Sequence, residues 1–171
     1  SLEGKTLAVV GYGHIGREVA RRARGFGMHI VALSRGGRCD EMADEGQPLS
    51  ALADVLARAD AIVLTIAQTP QTVKLMGAAM FACCKPSALL VNVARGGVVD
   101  HAALHEALAQ GRLGGAALDV TEPEPLPGGH PLWSCPNFIL SSHLAVEGSS
   151  ATEQRLADGT VALLRRFIAN E

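Results

Sequence analysis

Short apolar runs recur along the chain and alternate with stretches in which apolar residues return every three or four positions. Continuous apolar runs are typical of strands buried on both faces of a sheet, and the longer spacing is typical of helices. The predicted strands are Leu7–Val10, His29–Leu33, Ala61–Ile66, Leu89–Val93, Gly115–Val120 and Phe138–Ser141. The predicted helices are one that follows the first strand and ends before Gly27, then Ser50–Arg58, Ala78–Cys84, His101–Gln110 and Ser149–Ala169. This alternation predicts an α/β fold with a doubly wound parallel sheet and helices on both faces.

Two of the predicted helices have a clear apolar face. In the first helix, the apolar residues at helical spacing are Ile15, Val19, Ala23 and Phe26. In the last helix, the residues that share one face are Leu156, Thr160, Leu163, Leu164 and Phe167. Both faces are predicted to pack against the core.

The turn between the first strand and the first helix reads Gly11-Tyr12-Gly13-His14-Ile15-Gly16. This spacing is typical of the Rossmann fold, in which such a turn holds the pyrophosphate of a dinucleotide. Gly11 allows the tight turn, Gly13 lets the backbone approach the phosphates, and Gly16 lets helix and strand pack closely. Because 19 of the 171 residues are glycine, an ordinary glycine-rich turn is the alternative. The strand, helix and second strand around the motif favour the dinucleotide site.

The composition narrows the class of protein. Hydrophobic residues make up 48% of the 171 positions and aromatic residues only 4%, which fits one domain with a core of Ala, Val, Leu and Ile. The net charge of −2 gives no reason to expect nucleic acid or an anionic membrane as a partner. No apolar run approaches the roughly 20 residues that span a bilayer. The N-terminus lacks a signal-peptide pattern, so a cytoplasmic protein is expected.

The cysteines do not indicate a metal site or a disulfide framework. Their density and spacing fit neither pattern, and small buried or half-buried residues in a reducing compartment are the simpler interpretation. The four cysteines are Cys39, Cys83, Cys84 and Cys135.

The end of the second strand indicates which dinucleotide is bound. An acidic residue there usually accepts hydrogen bonds from the adenosine ribose of NAD. Here the strand is followed by Ser34 and Arg35, and no carboxylate appears before Asp40. Ser34 can hydrogen-bond a 2′-phosphate and the Arg35 guanidinium can pair with it, which favours NADP. NAD remains the alternative, in which Arg35 is a solvated loop residue.

Three later segments place polar side chains just after predicted strands. They carry Arg95, Glu124 and His143, and Glu124 lies in a proline-rich loop, Glu122–Pro136. Taken singly, these residues could be a surface ion-pair partner, a solvated acid and a helix cap. Because the carboxyl ends of parallel strands meet at one edge of the sheet, the three side chains are expected to lie close together. They can then supply a group that binds an anion, an acid or base, and a group that adjusts the pKa of that acid or base.

Several segments match one family in the same order along the chain. They are Gly4–Leu7, the glycine turn, Thr69–Thr72, Asn92–Asp100, Leu118–Pro125 and Pro136–His143. On these segments the chain resembles the nucleotide-binding domain of the D-isomer-specific 2-hydroxyacid dehydrogenases. That family includes glyoxylate/hydroxypyruvate reductases and the D-lactate and phosphoglycerate dehydrogenases.

The resemblance implies a role for each catalytic candidate. Arg95 would bind the carboxylate and the carbonyl oxygen of a small 2-oxo or 2-hydroxy acid. His143 would donate a proton in reduction and accept it in oxidation, while hydride moves to or from the nicotinamide. Glu124, rather than Glu122, falls at the family's acidic position and would favour the protonated imidazole.

The resemblance also implies which residues line the cofactor. Asp119 matches the residue on the carboxamide side of the nicotinamide. The remaining matches are Thr69, Val93 and Ala94 as lining positions, and His14 and Ile15 as the start of the pyrophosphate-binding helix.

Some positions depart from the family pattern. Ser34 stands where many members have Asp, and Thr65 and Ala67 stand where a His and a Pro are frequent. Glu147 is unexpected so close to His143.

The resemblance covers the cofactor domain only. We therefore expect residues 1–171 to form a dinucleotide-binding domain that lacks the substrate-binding domain, binds NADP and turns over poorly. A homodimer is left open. Two alternatives without turnover also remain, a dinucleotide-sensing module like the corepressors that resemble this family and a bare regulatory nucleotide domain.

Overall fold

The computed structural model describes residues 1–144 and four helical positions beyond them, Gln154, Asp158, Val161 and Arg165. The described residues form a seven-stranded sheet in the order β3-β2-β1-β4-β5-β6-β7, in which every neighbouring pair is parallel. The strands are β1 (Thr6–Val10), β2 (His29–Ser34), β3 (Glu45–Pro48), β4 (Ala61–Leu64), β5 (Leu89–Asn92), β6 (Gly115–Leu118) and β7 (Phe138–Leu140). The helices are α1 (His14–Arg24), α2 (Leu52–Leu56), α3 (Ala78–Cys83) and α4 (His101–Ala109), with short 3-10 turns at Leu49–Ala51, Gly96–Val98 and Pro131–Ser134.

The strand order reverses between β1 and β4. The chain runs outward from β1 to β2 and β3, and then crosses back to place β4 on the other side of β1. The register sets Val10 beside Leu33 on one side and Leu64 on the other, so the three strands end at the same level. In sheets of this kind, ligands bind in the crevice at the carboxyl edge where the order reverses.

Two apolar clusters cover the two faces of the sheet. The α1 face includes Val9, Ala20 and Ile30, and the face toward α2, α3 and α4 includes Leu90 and Leu104, all essentially inaccessible to solvent. The predicted doubly wound parallel sheet with helices on both faces is therefore confirmed.

Strand β3 was not predicted from the sequence, because Glu45–Pro48 is polar and ends in proline. Among the described residues it is an edge strand that pairs with β2 alone, and a polar strand with a missing N–H is tolerated at an edge. Its Glu45 carboxylate pairs with Arg58 at 2.5 Å and lies 2.8 Å from Nε2 of His29. An edge strand of this kind carries no apolar run that a sequence pattern could reveal.

The predicted apolar face of α1 was right for Val19 and Ala23, which pack against the core, and wrong for Ile15 and Phe26. The helix ends at Arg24, and both Ile15 and Phe26 are exposed, at 59% and 62%. Small side chains bring the helix close to the sheet, and its buried residues are Gly16, Ala20 and Ala23.

The predicted apolar face of the last helix lies outside the described residues, as does Glu147. Four positions within the predicted span 149–169 are described and are helical.

Candidate functional site

The glycine turn connects β1 to α1, and two of its glycines are required by close backbone contacts. Gly11 has a φ of +100°, and a Cβ there would lie 2.5 Å from the Cα of Ile66. A Cβ on Gly16 would lie 2.5 Å from the carbonyl oxygen of Gly11. A Cβ on Gly13, by contrast, would meet nothing within 4 Å. Gly11 and Gly16 are therefore glycines because of the protein's own packing, and Gly13 leaves open space before the helix.

The start of α1 is suited to an anion. Gly13 caps the helix without a side-chain hydrogen bond, and the first turn contains no acidic residue. The first N–H groups of a helix have no partner within it, and the helix dipole adds positive potential there. His14 and Ile15 are exposed at this end. The turn and the open space at Gly13 therefore fit the pyrophosphate of a dinucleotide.

Thr65 fixes the same turn from the neighbouring strand. It follows β4, and its hydroxyl donates a hydrogen bond of 2.7 Å to the carbonyl oxygen of Gly11. From the sequence Thr65 was noted only as a departure from the family pattern. Its partner belongs to a turn more than fifty residues earlier in the chain, and nothing local in the sequence indicates that contact.

A cavity of about 690 Å³ opens between the start of α1 and the loops that follow β4 and β5. Its lining residues are Ile15, Thr65, Ile66, Ala67, Gln68, Val93, Ala94, Arg95 and Glu122. The structure therefore brings the predicted residues Ile15, Val93, Ala94 and Arg95 to one cavity. It also gives a role to the exposed Ile15 side chain, which forms part of the cavity wall.

Thr69 is not among the residues that line this cavity. Its N–H donates a hydrogen bond of 2.7 Å to the Thr72 hydroxyl oxygen, and the same hydroxyl donates one of 2.7 Å to the carbonyl of Ala67. Thr69 and Thr72 thus stabilise the loop that follows β4.

The loop that presents Arg95 is shaped by Asn92, a residue that the sequence analysis did not single out. Asn92 is fully buried at the end of β5. Its amide donates to the Arg95 carbonyl at 3.0 Å and accepts the Ala94 N–H at 2.9 Å. The Arg95 side chain is exposed and donates to the Ala94 carbonyl at 2.7 Å. The sequence signal that could have identified this position is an asparagine near the end of an otherwise apolar strand.

His143 and Glu124 are brought together by the loops after β6 and β7. The His143 Nδ1 atom lies 2.8 Å from Oε1 of Glu124, and both side chains are a little under half exposed. Glu124 belongs to the proline-rich loop, which contains cis peptide bonds at Glu122–Pro123 and Glu124–Pro125. Glu122 does not contact His143 but lines the cavity that contains Arg95.

Asp119 holds the segment that carries His143. This carboxylate is only 8% exposed. Its Oδ1 atom accepts hydrogen bonds from the Ser141 hydroxyl at 2.6 Å and from the Leu144 N–H at 3.1 Å. Ser141, which the sequence analysis did not select, is therefore a structural partner of Asp119 on one side of His143.

Asp119 and Glu124 line a second cavity of about 670 Å³, while Arg95 lines the first. The loops that separate the two cavities touch each other, because a Cβ on Gly96 would lie 2.0 Å from the carbonyl carbon of Thr121. Two of the predicted catalytic residues, Arg95 and Glu124, thus line two neighbouring cavities at the carboxyl edge of the sheet.

The end of β2 carries Ser34 and Arg35. Ser34 is half-buried, and its hydroxyl donates to the carbonyl oxygen of Arg38 at 3.2 Å. Arg35 is exposed and has no ion pair with any described residue. Its guanidinium is therefore available to a ligand at this edge.

Within residues 1–144 and the four helical positions beyond them, no cluster of three His, Cys, Asp or Glu side chains could hold a metal ion. The four cysteines are unpaired. None of the helices described is long and apolar enough to cross a membrane.

Comparison with known proteins identifies the family. A sequence model described as "D-isomer specific 2-hydroxyacid dehydrogenase, NAD binding domain" matches residues 1–145. A glyoxylate reductase from Thermococcus kodakarensis is 41% identical over 150 residues, which cover 88% of this chain and 45% of the relative. A glycerate dehydrogenase from Methylorubrum extorquens is 38% identical over 172 residues, covering 99% of this chain and 52% of the relative.

A solved structure agrees with these relatives. The D-isomer specific 2-hydroxyacid dehydrogenase from Xanthobacter autotrophicus Py2, in complex with NADPH and MES, superposes with a TM-score of 0.87 at 36% identity. The match covers 98% of this chain and 68% of that structure.

The chain has the fold of a nicotinamide dinucleotide-binding domain. It belongs to the D-isomer specific 2-hydroxyacid dehydrogenase family, as the NAD-binding domain. It spans about half the length of the curated relatives it matches.

Proposed function

We propose that this chain is the cofactor-binding domain of an NADP-dependent oxidoreductase that transfers a hydride between nicotinamide and a small acid. The substrate pair would be a D-2-hydroxy acid and its 2-oxo acid, of the glyoxylate or hydroxypyruvate type. The observation that carries the proposal is the His143–Glu124 pair at 2.8 Å, at the same sheet edge as a glycine turn that fits a dinucleotide. Such a pair favours proton transfer over a module that only senses a cofactor.

The proposed cofactor-binding residues lie along the carboxyl edge of the sheet. The N–H groups that follow Gly13 would bind the pyrophosphate, and Ser34 and Arg35 would bind the adenosine 2′-phosphate. The similar enzyme from Xanthobacter autotrophicus is solved with NADPH, which supports NADP as the cofactor. The nicotinamide end would lie along Ile15, Val93 and Ala94, which share one cavity, with Asp119 on its carboxamide side. Thr69 stays a predicted cofactor residue in the loop that follows β4. When bound, the nicotinamide supplies or accepts the hydride.

The chain's own residues would then hold the substrate and move its proton. The exposed Arg95 guanidinium would bind the carboxylate and the 2-oxo oxygen of the acid, because its planar fork matches such a pair of oxygens. His143 would donate a proton to that oxygen during reduction and remove it from the hydroxyl during oxidation. Because Glu124 engages Nδ1, this proton would move at Nε2 of the same ring.

Glu124 would act through His143 and not on the substrate. Its carboxylate would hold the imidazole ring through Nδ1, so that Nε2 faces the substrate. Asp119 would keep the His143 segment in place through its hydrogen bonds from Ser141 and Leu144.

The remaining walls of the site would come from residues that this chain does not contain. The curated relatives are about twice as long as the region they share with it. We infer that 1–171 is a dinucleotide-binding domain and that a separate substrate-binding domain closes the site against water. On its own, the domain should bind NADPH and turn over poorly.

The test compares His143→Ala with His105→Ala in the full-length enzyme that contains this chain. His105 lies on α4 and is a matched histidine control. Loss of a general acid should lower kcat for glyoxylate by about 100-fold or more, while the Kd for NADPH stays within twofold of wild type. His105→Ala should change neither quantity. Unchanged turnover in His143→Ala would refute the proposed mechanism. A wild-type full-length protein that binds NADPH but shows no turnover would favour the sensing module.

A further inference from the structure

The loop between β2 and β3, residues 35–44, leaves the sheet next to the glycine turn. In this fold, the adenosine ribose of a bound dinucleotide lies at the carboxyl end of the second strand. The loop carries two exposed arginines, Arg35 and Arg38, and neither guanidinium has a partner among the described residues. The position of this loop therefore decides what the adenosine end of a cofactor encounters.

One carboxylate attaches this loop to the glycine turn. Oδ1 of Asp40 accepts a hydrogen bond of 2.5 Å from the Tyr12 hydroxyl and one of 3.1 Å from the Met42 N–H. Oδ2 of Asp40 forms an ion pair of 3.0 Å with Nε of Arg17, on the first turn of α1. Tyr12 lies inside the glycine turn and is only 8% exposed. The Asp40 side chain thus links its loop both to the glycine turn and to α1.

The protonation states of this pair are fixed near neutral pH. Burial, followed by the hydrogen bond to Asp40, raises the pKa of the Tyr12 hydroxyl above its ordinary value. The hydrogen bond from Tyr12 lowers the pKa of Asp40. A neutral phenol therefore donates to an ionised carboxylate, which is a strong, charge-assisted hydrogen bond.

We propose that the Tyr12–Asp40 contact is a specificity-determining element, which holds the 35–44 loop so that Arg35 and Arg38 face a 2′-phosphate. The inference rests on the proposed NADP-dependent function and deepens its cofactor choice. A free carboxylate at this place would accept hydrogen bonds from the ribose of NAD and would repel a phosphate. Asp40 is instead used as an anchor for the loop.

Two explanations of Asp40 make opposite predictions for its removal. If Asp40 acts only as a nearby negative charge, Asp40→Ala should tighten the binding of NADP⁺. If Asp40 anchors the loop, the same change should weaken NADP⁺ more than NAD⁺. Tyr12→Phe removes only the hydroxyl and changes no charge. Glu41→Ala is the matched control, because Glu41 is the adjacent exposed carboxylate on the same loop.

The experiment measures the Kd of NADP⁺ and of NAD⁺ for this chain and the three variants by calorimetry, with circular dichroism as the check on folding. Because a hydrogen bond to a charged group is lost, Tyr12→Phe and Asp40→Ala should lower the preference for NADP⁺ over NAD⁺ by about 3- to 10-fold. Glu41→Ala should stay within about twofold, as expected for a surface change. The proposal is overturned if Asp40→Ala raises the preference or if Tyr12→Phe leaves it unchanged.

A second measurement needs no cofactor. Trypsin cleaves after arginine, so the rates of cleavage at Arg35 and Arg38, followed by mass spectrometry, report on the anchoring of the loop. Tyr12→Phe and Asp40→Ala should be cut there several-fold faster than wild type and Glu41→Ala. Equal cleavage rates overturn the anchor whatever the cofactor preference. A wild-type chain that binds NAD⁺ more tightly than NADP⁺ contradicts the proposed NADP-dependent function. If Tyr12→Phe still changes the ratio of the two Kd values in that case, the role of the Tyr12–Asp40 contact is upheld.

Discussion

Asn92 and Arg95 are joined by a hydrogen bond of 3.0 Å, which the Asn92 amide donates to the Arg95 carbonyl. The other end of the same amide accepts the Ala94 N–H at 2.9 Å. Because Asn92 is fully buried, water cannot replace either contact. One side chain below the surface therefore sets the backbone from which the Arg95 guanidinium reaches the cavity.

Asn92→Asp should destabilise the protein. The change keeps the shape of the side chain but replaces its N–H donor by a carboxylate oxygen that faces the Arg95 carbonyl. The expected loss in the free energy of unfolding at pH 7 is about 2–4 kcal/mol, the cost of an unpaired buried polar group. Urea denaturation measures it, with Asn137→Asp as the control at an exposed position. Equal stability of the two variants would contradict the role given to Asn92.

Gly13→Ala and Gly16→Ala should affect different properties. The Gly16 methyl would meet the Gly11 carbonyl at 2.5 Å, so overpacking should lower stability by about 1–3 kcal/mol. The Gly13 methyl meets no protein atom within 4 Å, and the change at this helix cap should cost less than about 1 kcal/mol. It would, however, occupy the space proposed for the pyrophosphate, so NADPH affinity should fall at least tenfold. Thermal unfolding and NADPH fluorescence titration separate the two effects, and a Gly13→Ala chain with wild-type affinity would argue against the proposed cofactor position.

Thr65→Val should loosen the glycine turn. Valine has nearly the same shape as threonine but leaves the Gly11 carbonyl without the 2.7 Å hydrogen bond from the hydroxyl. We expect a loss of about 1 kcal/mol in the free energy of unfolding, together with weaker NADPH binding. Thr65→Ser keeps the donor and should bind NADPH like wild type. If the Val and Ser variants bind equally well, the hydroxyl has no role in shaping the turn.

Glu45→Gln should reduce stability in a pH-dependent way. Hydrogen bonds from Arg58 and then from His29 lower the pKa of Glu45 from 4.5 to about 2 in the folded protein. A carboxylate with a depressed pKa stabilises the fold above its unfolded pKa, and this stabilisation is lost as the pH falls toward the folded value. The stability difference between wild type and Glu45→Gln should therefore be largest above pH 4.5 and shrink toward pH 2. Urea denaturation across this range measures it, and Glu3→Gln, at an exposed carboxylate, is the control. A constant difference would show that the ion pair is not its source.

The strands of the interior could be predicted from the sequence because burial on both faces requires continuous apolar runs. Four predicted strands nevertheless extend too far at their carboxyl ends, since the structure ends them at Leu64, Asn92, Leu118 and Leu140. The residues just beyond leave the sheet to form the site: Thr65 reaches the glycine turn, and Asp119 holds the His143 segment. Apolar periodicity cannot separate a residue that pairs in the sheet from one that turns out of it.

The candidate site could be predicted only in part. Arg95, Glu124 and His143 each follow a strand, and parallel topology alone brings them to one edge. The residues that orient them, such as Ser141, act through contacts between loops that are far apart in sequence. Those contacts depend on which strands are neighbours and in which register, and neither is visible in local patterns.

The sheet order also separates the two ends of the proposed site. Arg35 follows β2 and His143 follows β7, and four other strands lie between them. At about 4.8 Å per strand, this places them roughly 24 Å apart along the sheet edge. Substitutions that far apart contribute independently to the free energy. Cofactor choice depends on the loop after β2, and acid–base chemistry depends on the loops after β6 and β7. Because these loops are far apart along the sheet, the two properties can change separately.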